Sequence, residues 1–234
     1  MKQEPKRGMV QSSEAVRVGM LLALSGGFLD AYTYLVRGHV FANTQTGNIV
    51  MLGLVLAERN WTKAVGYLLP ILAFVLGVIL AELLRTWGKA HPNHWFHWRQ
   101  TILSLELLLL IPVGFMPATN GWNTIANICI SFVCSLQVES FRRMHGKVFA
   151  TTMCTGNLRS GTELMFQYAR TKDKTLRQHA MHYYGVILSF IAGAAVSALV
   201  CNVIGIYAVW ISCAIFLVLV LILFHAELET KRPL

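Results

Sequence analysis

Charge is what this chain has least of. Asp, Glu, Lys and Arg make up 13% of its 234 residues, where soluble domains carry about 25%. That shortage excludes a soluble globular fold, because too few charged side chains remain to cover a surface facing water. Catalytic signatures are missing as well. No nucleophile elbow, phosphate-binding glycine loop or paired-histidine zinc motif occurs, so an enzyme is not expected. The five cysteines, Cys129, Cys134, Cys154, Cys201 and Cys213, form no C-x-x-C pair and lie in or beside apolar runs. They read as small buried hydrophobes, not as a disulfide framework.

What remains is apolar. Hydrophobic residues make up 55% of the chain, and several runs approach or exceed the roughly 18 residues that mark a membrane span. The chain reads as an all-α, polytopic membrane protein in contact with the lipid bilayer. Spans are expected at residues 16–36, 64–84, 101–116, 122–141, 182–204 and 206–225. The joint at 202–205 is tight enough to predict that the last two spans pair as a hairpin. The net charge of +9 has a simpler origin in cytoplasmic loops than in nucleic-acid binding. Residues 1–13 are polar and basic, and the run that follows lacks a small-residue cleavage site, so a removed signal peptide is not expected. His91, His94 and His97 stand three apart beside Trp95 and Trp98. No cysteine or acid joins them, and histidine with tryptophan suits an interfacial belt. No metal or cofactor is expected.

One short phrase occurs twice. Residues 40–48 read Val-Phe-Ala-Asn-Thr-Gln-Thr-Gly-Asn, and residues 148–157 read Val-Phe-Ala-Thr-Thr-Met-Cys-Thr-Gly-Asn. Self-similarity at long spacing is the first thing to read in a sequence. Each copy runs into an apolar stretch of about nine to twelve residues, nearer the re-entrant length than the spanning one. Charge agrees. If neither copy crosses, 17 of the 20 Lys and Arg residues fall on the cytoplasmic side and only Arg37, Arg59 and Lys63 outside. If both crossed, the split would be 13 to 7. The positive-inside rule favours six spans with both termini in the cytoplasm. Three spans per half, an odd number, make the halves (residues 14–117 and 118–226 of a single membrane domain) an inverted 3+3 repeat. Gly77 and Ala81, and Gly193 and Ser197, then provide small-residue faces for close helix contact.

Non-helical backbone at membrane depth is tolerated only where protein or a polar cavity covers it. Gly47 and Gly156 permit a tight turn. Thr46 or Asn48, and Thr155 or Asn157, are positioned to cap the half-helix that follows. A purely structural capping role and a binding role both fit. In the second, two helix N-termini meet near the midplane and favour a small polar or anionic solute. Gln45, Thr46, Gly47, Asn48, Thr155, Gly156, Asn157 and Arg159 would line the site. Asp30, after a Gly-Gly break, and Glu106, within an unbroken leucine run, are candidate proton or ion-coupling groups, since intramembrane carboxyls are costly and usually functional. Glu82, Glu139 and Glu163 also lie in or near apolar runs, and the first two read as snorkelling or arginine-paired acids near span ends.

Asp30-Ala31 after Gly26-Gly27, the stretch Thr44–Asn48, and the stretch Thr152–Arg159 resemble the YoaK family of small bacterial integral-membrane proteins over nearly the whole chain. That resemblance implies about six spans, a cytoplasmic-membrane location and a permease-type activity. The pair Val138-Glu139 after Gln137 departs from the Gln-Asn that the family favours. The expected function is a secondary transporter or channel for a small polar or anionic solute. A non-transporting sensor or scaffold that binds a partner through residues 170–177 is the alternative. Self-association into a homo-oligomer is left open.

Overall fold

The computed structural model describes residues 6–90, 98–141, 143–144, 147–148 and 153–231. Eight α-helices account for nearly all of them: α1 (Lys6–Val36), α2 (Gln45–Ala57), α3 (Trp61–Ala90), α4 (Trp98–Val113), α5 (Asn120–Phe141), α6 (Cys154–Thr171), α7 (Lys174–Ile204) and α8 (Val209–Lys231). A 3-10 turn, Gly205–Ala208, joins the last two, and Arg143–Met144 pairs antiparallel with Lys147–Val148. Four apolar stretches are long enough to cross a membrane: Val16–Val36, Trp61–Gly88, Asn120–Phe141 and Lys174–Ile222. The last of these contains α7, the turn and most of α8. α2 and α4 are apolar but shorter. At 1.5 Å per residue α2 is about 20 Å long, well under a hydrocarbon core of about 30 Å. The molecule is an all-helical membrane protein.

Packing runs across the chain's midpoint. α1 lies along α7 and α3 along α5, while α2 rests on α3 and α6 on α7; α4 sits between α5 and α8. Small residues make the closest of these contacts. A Cβ on Gly27 of α1 would overlap the carbonyl oxygen of Phe190 in α7, and one on Gly193 of α7 would overlap the carbonyl oxygen of Leu24 in α1. Each glycine thus meets the carbonyl three residues before the other, which is the backbone-to-backbone approach that small residues allow in membranes. This preference sets aside the expected hairpin. α7 spends its small face, Gly193 and the buried Ser197, on α1, so α7 and α8 part after the turn. α7 follows α1 and α6, and α8 packs on α4 and α1.

Arg37, at the end of α1, gathers one end of the bundle. Its guanidinium is fully buried. Nη2 donates to Val113 O (2.8 Å), Nη1 to Met116 O (2.9 Å) and Nε to the Tyr32 hydroxyl (2.9 Å), which donates on to Ile206 O (2.9 Å). Asn127 of α5 donates to the Arg37 carbonyl at 2.8 Å. Trp210 of α8 donates to Ile111 O at 3.2 Å. The free carbonyls at the end of α4, which a helix leaves without partners of its own, are therefore closed by an arginine and a tryptophan. Arg37 is one of the three basic residues that the charge count places outside. Four chain segments end around it, and it is buried there.

At the other ends of α3 and α5, Arg85 pairs with Glu82 at 2.9 Å and reaches Glu139 at 3.6 Å, as expected for acids near span ends. α7 opens on Asp173, which accepts from the Thr175 hydroxyl (2.7 Å) and amide (2.8 Å). These two donors hold its carboxyl below the ordinary carboxylate range. His91, His94 and His97, and residues 149–152 of the second phrase, lie outside the described residues.

Candidate functional site

The first amide protons of a helix have no acceptor within it, and burial makes each unmet one cost about 1–3 kcal/mol. At α2 the acceptor comes from another helix. Asp30, 4% exposed on α1, accepts from the amides of Asn43 (2.7 Å) and Thr44 (3.2 Å) with Oδ1, and from the Thr44 hydroxyl with Oδ2. One turn on, Thr33 Oγ1 accepts from the Ala42 amide at 3.2 Å and donates to Leu29 O at 3.0 Å. The segment that leads into α2 is thus laid against α1 by two side chains on one helical face.

Asn48 completes the clamp from the other side. It is fully buried. Its Oδ1 accepts from the Phe41 amide at 2.9 Å, and its Nδ2 donates to Phe41 O and, at 2.9 Å, to Gln45 Oε1. Gln45 Nε2 donates to Ala42 O at 2.8 Å. Gly47 lies under the Phe41 ring, which a Cβ there would meet at 2.7 Å. The expectation that Thr46 or Asn48 caps α2 is corrected. α2 begins at Gln45 with Thr44 as its N-cap residue and no side-chain cap of its own. Thr46 and Asn48 therefore sit inside the helix, past the position from which a side chain covers the start, and Asp30 covers it instead. Asn43 was not among the expected site residues. It is 7% exposed, and neither its Oδ1 nor its Nδ2 has a partner among the described residues.

The second phrase ends in α6, which starts at Cys154 after Met153, again with no side-chain cap. Asn157 is buried, as Asn48 is, and its amide donates to Met153 O at 3.0 Å. Thr155, Gly156 and Arg159 are exposed, as is Thr46. Cys154, the first residue of α6, is partly buried. Glu106 stands apart on α4. It is fully buried, and its two carboxyl oxygens have no hydrogen-bond partner among the described residues. Cys134 of α5 lies within reach of both Asp30 and Glu106. The structure therefore brings Asp30, Gln45, Gly47 and Asn48 together around one segment and adds Asn43, Thr44 and Thr33.

A family model described as "Protein of unknown function (DUF1275)" matches residues 18–222, which takes in every helix that builds this site. The chain belongs to that family. A DUF1275 relative in Bacillus subtilis (strain 168), the UPF0700 transmembrane protein YoaK, is 30% identical over 186 residues, covering 76% of this chain and 80% of its own. No solved structure matches. The resemblance carried by Asp30, Thr44–Asn48 and Thr152–Arg159 is thereby borne out at family level. Within this DUF1275 chain, the sequence signal that would have found Thr44 is its place just before the helix start in the repeated phrase, where an amide needs an acceptor and Asp30 is the nearby acid.

Proposed function

We propose that this protein carries a small polar solute across the cytoplasmic membrane, through a six-span inverted 3+3 repeat in which α2 and α6 are re-entrant and both termini face the cytoplasm. The observation that carries the reading is a buried carboxyl, Asp30 of α1, that holds the segment leading into α2 through the amides of Asn43 and Thr44. Burial supports the repeat. Val18, Leu22, Ala23, Ser25 and Phe28 of α1 are buried, and so are Ala126, Ile130, Ser131, Val133 and Leu136 of α5, at a constant offset of 108. Ala64, Pro70, Gly77 and Ala81 of α3 match Ala180, Val186, Gly193 and Ser197 of α7 at 116. Ile102, Leu103 and Glu106 of α4 match Ser212, Cys213 and Phe216 of α8 at 110. The packing partners obey the same exchange: α1 with α7 answers α5 with α3, and α2 on α3 answers α6 on α7.

The two halves differ where chemistry is at stake. At these offsets Asp30 corresponds to Val138 and Glu106 to Phe216, so both buried acids belong to the first half. The first half holds the two buried acids and the second has apolar residues at the matching positions, an asymmetry that packing alone does not require and that coupled transport uses. Purified protein in lipid vesicles should take up at least one solute from a panel of small neutral, anionic and cationic compounds faster than empty vesicles do. Asp30→Asn should alter that rate or its pH dependence. Uptake equal to empty vesicles across the whole panel would refute the transport reading.

Topology has its own test. In a cysteine-free background, single cysteines at Thr62 and Ala118 should react with an impermeant thiol reagent added outside intact cells, and one at Lys174 should not. Outside labelling at Lys174 would sink the six-span arrangement.

A further inference from the structure

We infer that the solute held at the start of α2 is neutral and presents a hydrogen-bond donor beside an acceptor, as a carboxamide or a urea does, and that the Asn43 side chain receives it. This rests on the transport reading above and narrows it to a substrate class. A helix N-terminus would ordinarily favour an anion. Here most of the backbone donors an anion would use are already committed. The amide of His39 goes to Tyr34 O, Phe41 to Asn48, Ala42 to Thr33, Asn43 and Thr44 to Asp30, Gln45 to Asn43 O, and Gly47 to Thr44 O. The side-chain amides of Gln45 and Asn48 are spent on Ala42 O and Phe41 O. An anion would also stand close to the Asp30 carboxyl, and Arg159, its expected counter-charge, is on the exposed side of α6.

What stays unspent is one primary amide. Asn43 is more than nine-tenths buried, and both its Oδ1 and its Nδ2 lack partners among the described residues. Buried polar groups are nearly always satisfied, and each exception needs an explanation. A cation would satisfy Oδ1 and strand the Nδ2 donors. An anion would do the reverse. A group carrying a donor next to an acceptor satisfies both at once, and a site built to pair with such a group discriminates against ligands that lack one half of it. Other neutral groups in the bundle interior are also unspent: Ser25 Oγ of α1, and Ser131 Oγ and Gln137 Oε1 of α5, are buried without partners among the described residues, as are the carboxyl oxygens of Glu106 on α4.

The test is stopped-flow light scattering on vesicles containing the full chain, under inward gradients of urea, acetamide, or potassium chloride with a potassium ionophore. Urea and acetamide should equilibrate several-fold faster than in empty vesicles, and chloride should not. Asn43→Leu keeps the volume and removes both hydrogen-bonding atoms. Replacing an unpaired buried amide with an apolar group of similar shape should leave the thermal midpoint unchanged or higher, while amide flux falls to the empty-vesicle rate. Fast chloride with slow urea and acetamide overturns the inference and leaves transport standing. All three solutes at the empty-vesicle rate overturn the inference outright. Undiminished amide flux in Asn43→Leu makes Asn43 the site of a bound water and overturns it too. So does a midpoint that drops together with the flux, since that makes Asn43 structural.

Discussion

Arg37→Leu should cost the fold about 3 kcal/mol or more, read as a large fall in thermal midpoint and loss of the monodisperse species in detergent. Two opposing effects set the number. Removing a fully buried guanidinium relieves a desolvation cost of several kcal/mol. It also removes three hydrogen bonds from a charged donor, to Val113 O, Met116 O and the Tyr32 hydroxyl, each worth about 1.5–3 kcal/mol. Val113 O keeps the Met116 amide and the Tyr32 hydroxyl keeps Ile206 O, but the summed loss wins because leucine has no donor to return. Arg37→Lys is the sharper comparison. One ammonium keeps the charge, but it has three donors at a single point, whereas the guanidinium spreads five over a planar fork. It cannot reach Tyr32, Val113 and Met116 together, so Lys should recover little. A lysine variant as stable as wild type would mean that charge near the end of α4, not geometry, is what the site needs.

Gly27→Val and Gly193→Val should each destabilise by about 3 kcal/mol, the upper part of the range for overpacked sites. The atom struck is in each case a backbone carbonyl oxygen, of Phe190 or Leu24, which cannot swing aside as a side chain would. The helices must separate instead. Once one substitution has parted α1 from α7, the other glycine no longer faces a neighbour, so the double variant should be little worse than the worse single. Contacting sites show such coupling, and distant ones add. Thermal midpoints of the two singles and the double decide it. Additive losses would mean that the two glycines act separately and that the crossing is not one shared contact.

Much of the helix inventory was legible because membrane spans announce themselves by apolar length. α5 falls close to the expected limits, and α1 and α7 end where expected but start ten and eight residues earlier. α3 runs on to Ala90, beyond residue 84, since Arg85 finds Glu82 and Glu139 and the helix continues without a charge penalty. The hairpin expectation failed because chain proximity says nothing about which face is small, and Gly193 chose α1. At the site, Asp30 was legible from the cost of a carboxyl in an apolar run, and Asn48 from the repeated phrase. The link between them was not. Which amide protons Asp30 captures depends on how the segment before α2 folds back on α1, and no local periodicity encodes a contact 13 or 14 residues away. Asn43 was invisible for a related reason. An unpartnered amide is a property of its surroundings, and only the folded chain shows that nothing meets it.

The two ends of α5 are tied to their neighbours by different chemistry. Near Asn120, Arg37 and Asn127 bind it to α1 and to the end of α4 through buried hydrogen bonds of 2.8–2.9 Å. Near Phe141, Gln137 Nε2 donates to Leu22 O of α1 at 3.0 Å, and Arg85 of α3, more than a third exposed, reaches Glu139 at 3.6 Å. Salt screens an exposed ion pair and leaves buried hydrogen bonds untouched. Raising the ionic strength should therefore loosen the Arg85–Glu139 tie while the Arg37 end keeps its full hold.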